Sequence, residues 1–328
     1  MFQHDLFQPE PSNDAELDLV HAQIISMDPS GERFAAALRR TLDMLLDGQR
    51  TGRFRWEQLH KTEKTHAGTL VEINLQREFG FEGGAERMDY RIAGVDVDCK
   101  YSQDFGKWMI PQEAMGHLCL GVWASDQEGL WSAGLFRVTE EALTKKDGNR
   151  DGKRNLKASA RDSIVRWLFK DAPLPENVLL RLPQQDLDAI FEQDSGAKKL
   201  DELFRRVAAG RGKPGRRVSR SVVATVAMQE DYMKRVRYNG GSRSRLQGEG
   251  IVILGQYWNH QAVAQRLGLP VPGAGESVAV HLARRAPWHG EAPSVELKGQ
   301  EWVIAVEDDP KGVEAPLLPE KKGRKPKQ

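Results

Sequence analysis

The stretch from Met88 to Ser102 constrains this chain more than any other: Met-Asp-Tyr-Arg-Ile-Ala-Gly-Val-Asp-Val-Asp-Cys-Lys-Tyr-Ser. Apolar and polar residues alternate from Val95 to Tyr101, which is the period of a strand. Ala93-Gly94 supplies a turn after Arg91-Ile92, so a β-hairpin is predicted. Side chains on a strand alternate between faces. Val95, Val97 and Cys99 therefore share one face, and Asp96, Asp98 and Lys100 share the other. Asp98 and Lys100 lie side by side, while Asp89 sits on the opposite arm of the hairpin.

That arrangement suits one kind of chemistry. Carboxylates offering only oxygen donors suit Mg²⁺, which keeps several waters and takes one or two carboxylates from protein. A lysine alongside can hold and polarise an attacking water and neutralise charge building on a phosphate. Acid, spacer, then acid-x-Lys is the signature of the PD-(D/E)-x-K nuclease core, which this stretch resembles at Asp89 and Asp98-Cys-Lys100. Asp-x-Lys also occurs on solvated strand faces, so the rest of the chain must discriminate.

With 328 residues the chain has room for two domains, each with its own core. Its formal net charge is +1, which excludes a uniformly basic nucleic-acid binder and directs attention to charge by region. Two cysteines, Cys99 and Cys119, exclude a disulfide framework and an all-cysteine zinc site, and a reducing cytoplasm fits them. No signal-peptide pattern opens the chain and no stretch reaches the length of a membrane span.

Along the chain, Asn13 or Asp14 can cap a first helix, and a second is predicted from Glu32 to Leu46. Asp47 to Leu70 is rich in Arg, Lys and His and reads either as a basic loop touching phosphate or as a solvated surface loop. Thr69 can cap a helix running to Phe79, with Val71, Leu75 and Phe79 on its apolar stripe and Glu72 at the stripe's edge. A carboxylate there is costly without a partner, which a metal site beneath the helix would supply; an ordinary helix-edge Glu is the alternative. Gly116–Ala124 and Trp131–Val138 read as strands, Ser159–Leu168 as a helix.

The second half changes character. Residues 201–250 hold twelve Lys/Arg against five Asp/Glu. Helices are predicted over Lys199–Ala209 and Ser219–Arg237, followed by a glycine-rich Arg-x-Arg loop, Asn239-Gly240-Gly241 and then Ser242-Arg243-Ser244-Arg245. Helix, turn, helix and basic tail resemble a DNA-reading unit, with a solvated helix ending in a cationic turn as the alternative. Ile251–Leu254 is expected as a strand, Asn259–Leu267 as a helix and Glu296–Val306 as a hairpin.

With these residues in place, most of residues 15–319 resembles a restriction endonuclease of the NaeI type. The likeness is densest in Asp47–His66, Gly68–Asn74, Asp98-Cys-Lys100 and Met233–Arg237. It implies an α/β PD-(D/E)-x-K core with a mixed sheet flanked by helices, plus a C-terminal winged-helix or helix-turn-helix domain similar to that of catabolite activator protein. The corresponding division is an endonuclease domain at 1–170, a linker at 171–177, an effector-DNA-binding domain at 178–319 and a basic tail at 320–328. The family's catalytic acids carry over to Glu72, Asp89 and Asp98, and its lysine to Lys100. Asp96 is not part of that motif. The family's ligase-like Lys-x-Asp-Gly motif has leucine for lysine, here Leu45-Leu46-Asp47-Gly48, so no nucleophile for an enzyme–adenylate is present.

The resemblance further implies a cytoplasmic homodimer that uses Mg²⁺ to cut double-stranded DNA at a palindrome, GCCGGC, bluntly and with 5′ phosphates. A second copy of the site, bound in the C-terminal domain, would act as effector. Lys234, Arg235, Arg237, Arg243 and Arg245 are the candidate effector-DNA contacts. A nicking or repair endonuclease on the same core, or a DNA-binding protein that does not cleave, are the alternatives.

Overall fold

A computed structural model describes residues 13–85, 87–145, 152–229, 232–236 and 240–318. It divides into two compact units: Met1–Leu45 with Leu59–Pro175, and Leu46–Gln58 with Glu176–Gln328. Among the described residues no helix is long and apolar enough to cross a membrane.

In the first unit, helices α1 (Ala15–Met27) and α2 (Glu32–Leu46) come first. Asp14 caps α1 by accepting from the Leu17 amide at 3.1 Å. After α3 (Gly48–Thr51), which belongs to the second unit, α4 covers Lys61–Phe79. α4 begins two turns before the start predicted at Thr69. The reason is local: Glu63 Oε2 accepts from the His60 amide at 2.8 Å, which satisfies a group at the helix entry.

Strands β1 (Glu82–Gly83), β2 (Tyr90–Ile92), β3 (Val95–Ser102), β4 (Met109–Ile110), β5 (Leu118–Ser125), β6 (Leu130–Arg137), β7 (Arg154–Asn155) and β8 (Arg166–Pro173) follow, with α5 (Ala158–Ile164) before β8. Six of them form one sheet in the order β1-β2-β3-β5-β6-β8. The β3–β5 pair is parallel and the others are antiparallel, so the sheet is mixed. Helices pack against it, α4 on β3 and α1 on β6 and β8. Aromatic rings knit these layers: Phe34 lies 4.7 Å from Phe79 and 5.6 Å from Trp131 between centroids.

The expected hairpin is present in the expected register, with Ile92 opposite Val95 and Tyr90 opposite Val97. Ala93 and Gly94 both have positive φ, 51° and 82°, as a tight two-residue hairpin turn requires. The helix expected to reach Leu168 ends at Ile164. Trp167 and Phe169 instead pair with Gly134 and Ala133 on β6, where ring side chains fit a pleated surface. Asp171–Pro173 therefore close a strand, although they were expected as linker.

The second unit contains α6 (Gln184–Phe191), α7 (Gly196–Val207), β9 (Arg217–Val218), α8 (Arg220–Ala227), α9 (Tyr232–Val236), α10 (Ser242–Arg245), β10 (Ile251–Gly255), α11 (Trp258–Arg266), β11 (Ser277–Arg284), β12 (Ser294–Leu297) and β13 (Gln300–Ile304). Strands β10, β11, β13 and β12 form an antiparallel sheet in that order, and β9 adds to β11. The single helix expected over Ser219–Arg237 is broken, because Met228 adopts the left-handed conformation (φ 48°, ψ 47°) and caps α8. A plain division into two halves also omits Leu46–Gln58. There Phe54 is buried in the second unit's core and stacks on Phe191 at 5.5 Å. The expected basic tail at 320–328 lies outside the described residues.

Candidate active site

β3 pairs with β2 on one edge and β5 on the other, α4 packs against it, and its central residues Val97, Asp98 and Cys99 are buried. Asp98 is only 2% exposed despite its polar side chain. Its Oδ1 accepts from Lys100 Nζ at 2.7 Å. Its Oδ2 is buried and has no hydrogen-bond partner among the described residues. Such an orphaned acceptor is costly, and it marks a place for a missing proton or cation.

Asp89, just before β2, reaches the same place from the other arm. Its Oδ2 accepts from the Cys99 amide at 2.7 Å and stands 3.5 Å from Lys100 Nζ. The Lys100 ammonium thus bridges both carboxylates and also donates to the Cys99 carbonyl at 2.8 Å. Glu72 arrives on α4. The Tyr90 hydroxyl donates to the Glu72 carbonyl at 2.8 Å, which ties the hairpin to the helix where the carboxylate emerges.

The electrostatics follow from burial and crowding. Burial first, then the neighbouring Asp89, pushes Asp98 up to about 6 against the pull of Lys100. Glu72 is raised for the same two reasons, burial and the Asp89 charge, with Lys100 opposing. Burial pulls the Lys100 ammonium down, but Asp98 and Asp89 outweigh it and hold its pKa above that of an ordinary lysine. Lys100 therefore stays a cation and a hydrogen-bond donor at neutral pH.

Glu72, Asp89, Asp98 and Lys100 thus form one electrostatically coupled cluster. Among the described residues no group of three or more His, Cys, Asp or Glu side chains is gathered to enclose a metal ion. What Asp89 and Asp98 offer is two carboxylates bridged by the Lys100 ammonium, with Asp98 Oδ2 unpaired among the described residues; one or two carboxylates are the usual protein share of a Mg²⁺ shell. Asp96, outside the family motif and expected at the surface or behind the site, holds the backbone rather than the cluster. Its Oδ1 accepts from the Ala85 amide at 3.1 Å and pins the loop before the hairpin.

The five basic residues of the second unit divide into two kinds. Lys234 and Arg235 are exposed on α9, and Arg235 Nε donates to Gln229 Oε1 at 2.8 Å. Arg243 is buried; its Nε donates to the Ile253 carbonyl at 2.9 Å and its guanidinium lies over the Tyr257 ring. Arg245 grips Asp201 with two hydrogen bonds of 2.6 and 2.9 Å. Arg237 lies outside the described residues.

The family model of restriction endonuclease NaeI matches residues 18–312. The Type II restriction enzyme NaeI of Lentzea aerocolonigenes is 49% identical over 318 residues, which span 95% of this chain and 96% of that one. Type II restriction enzymes generally use divalent metal ions, in keeping with an all-oxygen acidic cluster. The chain therefore belongs to the NaeI restriction endonuclease family and is a type II site-specific deoxyribonuclease.

Proposed function

We propose that Glu72, Asp89, Asp98 and Lys100 are the catalytic centre and that the enzyme works with Mg²⁺. The observation that carries this reading is the orphaned Asp98 Oδ2, buried beside an Oδ1 already engaged by Lys100. Asp89 and Asp98 would hold the ion, with Glu72 completing the site through a water. The ion, when bound, supplies Lewis-acid charge stabilisation and lowers the pKa of a bound water. Lys100 remains protonated, so it orients the attacking water and donates to the phosphate as negative charge builds; it does not act as the base. Water oxygen bonds to phosphorus and releases a proton to solvent, the bond to the 3′ oxygen breaks, and that oxygen takes up a proton from solvent. The products are a 3′ hydroxyl and a 5′ phosphate.

The family likeness supports a palindromic site, GCCGGC, cut bluntly by a homodimer, since a two-fold axis through the protein matches one through the duplex. In the second unit the order α7, β9, α8, α9, α10, β10, α11, β11 supports a winged helix-turn-helix for the effector DNA, similar to that of catabolite activator protein. There Lys234, Arg235 and Arg237 would meet phosphates. Arg243 and Arg245, anchored to Ile253 and Asp201, would set the loop beneath them and add their charge. Two buried free cysteines, Cys99 and Cys119, fit action in a reducing cytoplasm.

Incubation of plasmid with the enzyme and Mg²⁺ tests the reading. Discrete fragments with blunt, 5′-phosphorylated ends are expected, and sequencing those ends gives the site. Lys100→Ala is expected to bind the same duplex while losing cleavage by several orders of magnitude. Near-normal cutting by that variant would falsify the role of Lys100.

A further inference from the structure

Three glycines lie inside the α-helices of the described residues: Gly48, Gly68 and Gly196. Two are demanded by their neighbours. A Cβ on Gly48 would stand 2.0 Å from Thr225 Oγ1, and one on Gly196 would stand 2.4 Å from the Ala227 carbonyl oxygen. Gly68 is different. It sits mid-way along α4 with φ outside the left-handed region, and apart from its chain neighbours and the backbone of its own helix no described atom lies within 4 Å of where its Cβ would be. Glycine weakens a helix interior relative to alanine, because it adds backbone freedom to the unfolded chain and packs nothing. Neither packing nor backbone geometry within the described residues requires it at position 68.

Its place on the helix suggests what does. At about 100° per residue, Lys61, Thr65 and Gly68 fall within about 40° of Glu72. Leu75 and Phe79 continue the same stripe toward the C-terminus and are buried. The stripe therefore leaves the core at Glu72, passes the bare backbone of Gly68, and ends at Thr65 and Lys61, both exposed. The Thr65 hydroxyl donates back to the Lys61 carbonyl at 2.9 Å. The Lys61 ammonium has no partner among the described residues. A surface with no side chain one turn from Glu72, followed by a cation about 10 Å further along the helix, fits a polyanionic backbone lying against it.

We propose that this face of α4 is a track for the sugar–phosphate backbone of the cleaved strand. Gly68 allows that backbone closer than any side chain would permit, and Lys61 contacts a phosphate further along. Gly68 and Lys61 are positioning residues for the reaction, and their assignment rests on the catalytic centre placed at Glu72, Asp89, Asp98 and Lys100.

The test uses the full-length enzyme and a duplex that the wild type cuts, held intact by a chelator for binding measurements. Gly68→Ala is expected to melt at or above the wild-type temperature, yet to bind the duplex at least tenfold more weakly. Gly68→Leu is expected to lose more. Lys61→Ala is expected to lower the slope of log affinity against log salt by about one, which a purely structural residue would not do. If both Gly68 variants bind and cut like the wild type while Lys100→Ala is inactive, the track is wrong and the centre stands. If Lys100→Ala cuts normally, the centre is wrong and the track goes with it. A loss of affinity that follows a shift to monomer in sedimentation would place Gly68 at an interface between copies and overturn the DNA contact.

Discussion

At the scale of single residues, Asp98 sets how the protein responds to pH. Its carboxyl titrates near 6 when folded, above the ordinary value of 3.8. The folded state thus holds this proton more tightly than the unfolded chain does. Its contribution to stability is full below pH 3.8 and is lost as the pH rises through about 6. Binding a divalent ion needs the opposite form, the ionised one. In chelator, the melting temperature of Asp98→Asn relative to the wild type should improve as the pH is raised from about 5 to about 7.5. The rise in melting temperature that Mg²⁺ gives the wild type should shrink over the same range when the pH is lowered. Calorimetric melts at several pH values, with and without the ion, check both; a Mg²⁺ effect independent of pH would count against Asp98 as a ligand. The alternation of Val95 to Tyr101 made Asp98 and Lys100 legible as neighbours in sequence. The depth of Asp98 was not legible, because it depends on β3 becoming an interior strand, paired on its far edge with β5 from about twenty residues later.

At the scale of elements, the β2–β3 turn and the α4 helix hold the cluster together. Ala93 is the one strained residue of the turn, since a left-handed backbone costs a residue with a Cβ about 1 kcal/mol. Ala93→Asn, which relieves that cost, should raise stability by about 1 kcal/mol in urea titrations and leave cleavage rates unchanged. Tyr90→Phe removes the hydrogen bond that joins β2 to the Glu72 carbonyl. It should cost about 1 kcal/mol, and a cleavage rate that falls by more than that stability loss explains would show that the tie positions Glu72. The hairpin could be read from its period and its turn. The entry of α4 could not, because Thr69 offers an equally good cap and the choice is made by a contact between His60 and Glu63. The break after α8 was hidden for another reason. Met228 has no propensity for the conformation it adopts, so only the packing of the finished unit decides it.

At the scale of the whole molecule, the segment Leu46–Gln58 is what a linear reading of domains misses. Its polar, arginine-rich composition looks like a surface loop, and its few apolar residues find partners more than a hundred positions later. Phe54 shares a buried cluster with Leu187 and Leu203 and stacks on Phe191, and the Asn177 side chain donates to the Phe54 carbonyl at 3.2 Å. Phe54→Ala should therefore destabilise the second unit by about 3 kcal/mol, although it lies among the first sixty residues. Hydrogen exchange resolved by segment checks this: faster exchange is expected in α6 and α7, while β3 and β5 keep their protection.

The chain thus passes between the two units three times, after Leu45, after Gln58 and after Pro175. A gene fragment stopping at Pro175 would carry thirteen orphaned residues whose apolar members have nowhere to go, and one starting at Glu176 would lack a plug for its own interior. Lineages that exchange halves of such a chain by a single crossover have no clean joint here. A working chimera would have to transplant the short early insert together with the late half, as a matched lock and key.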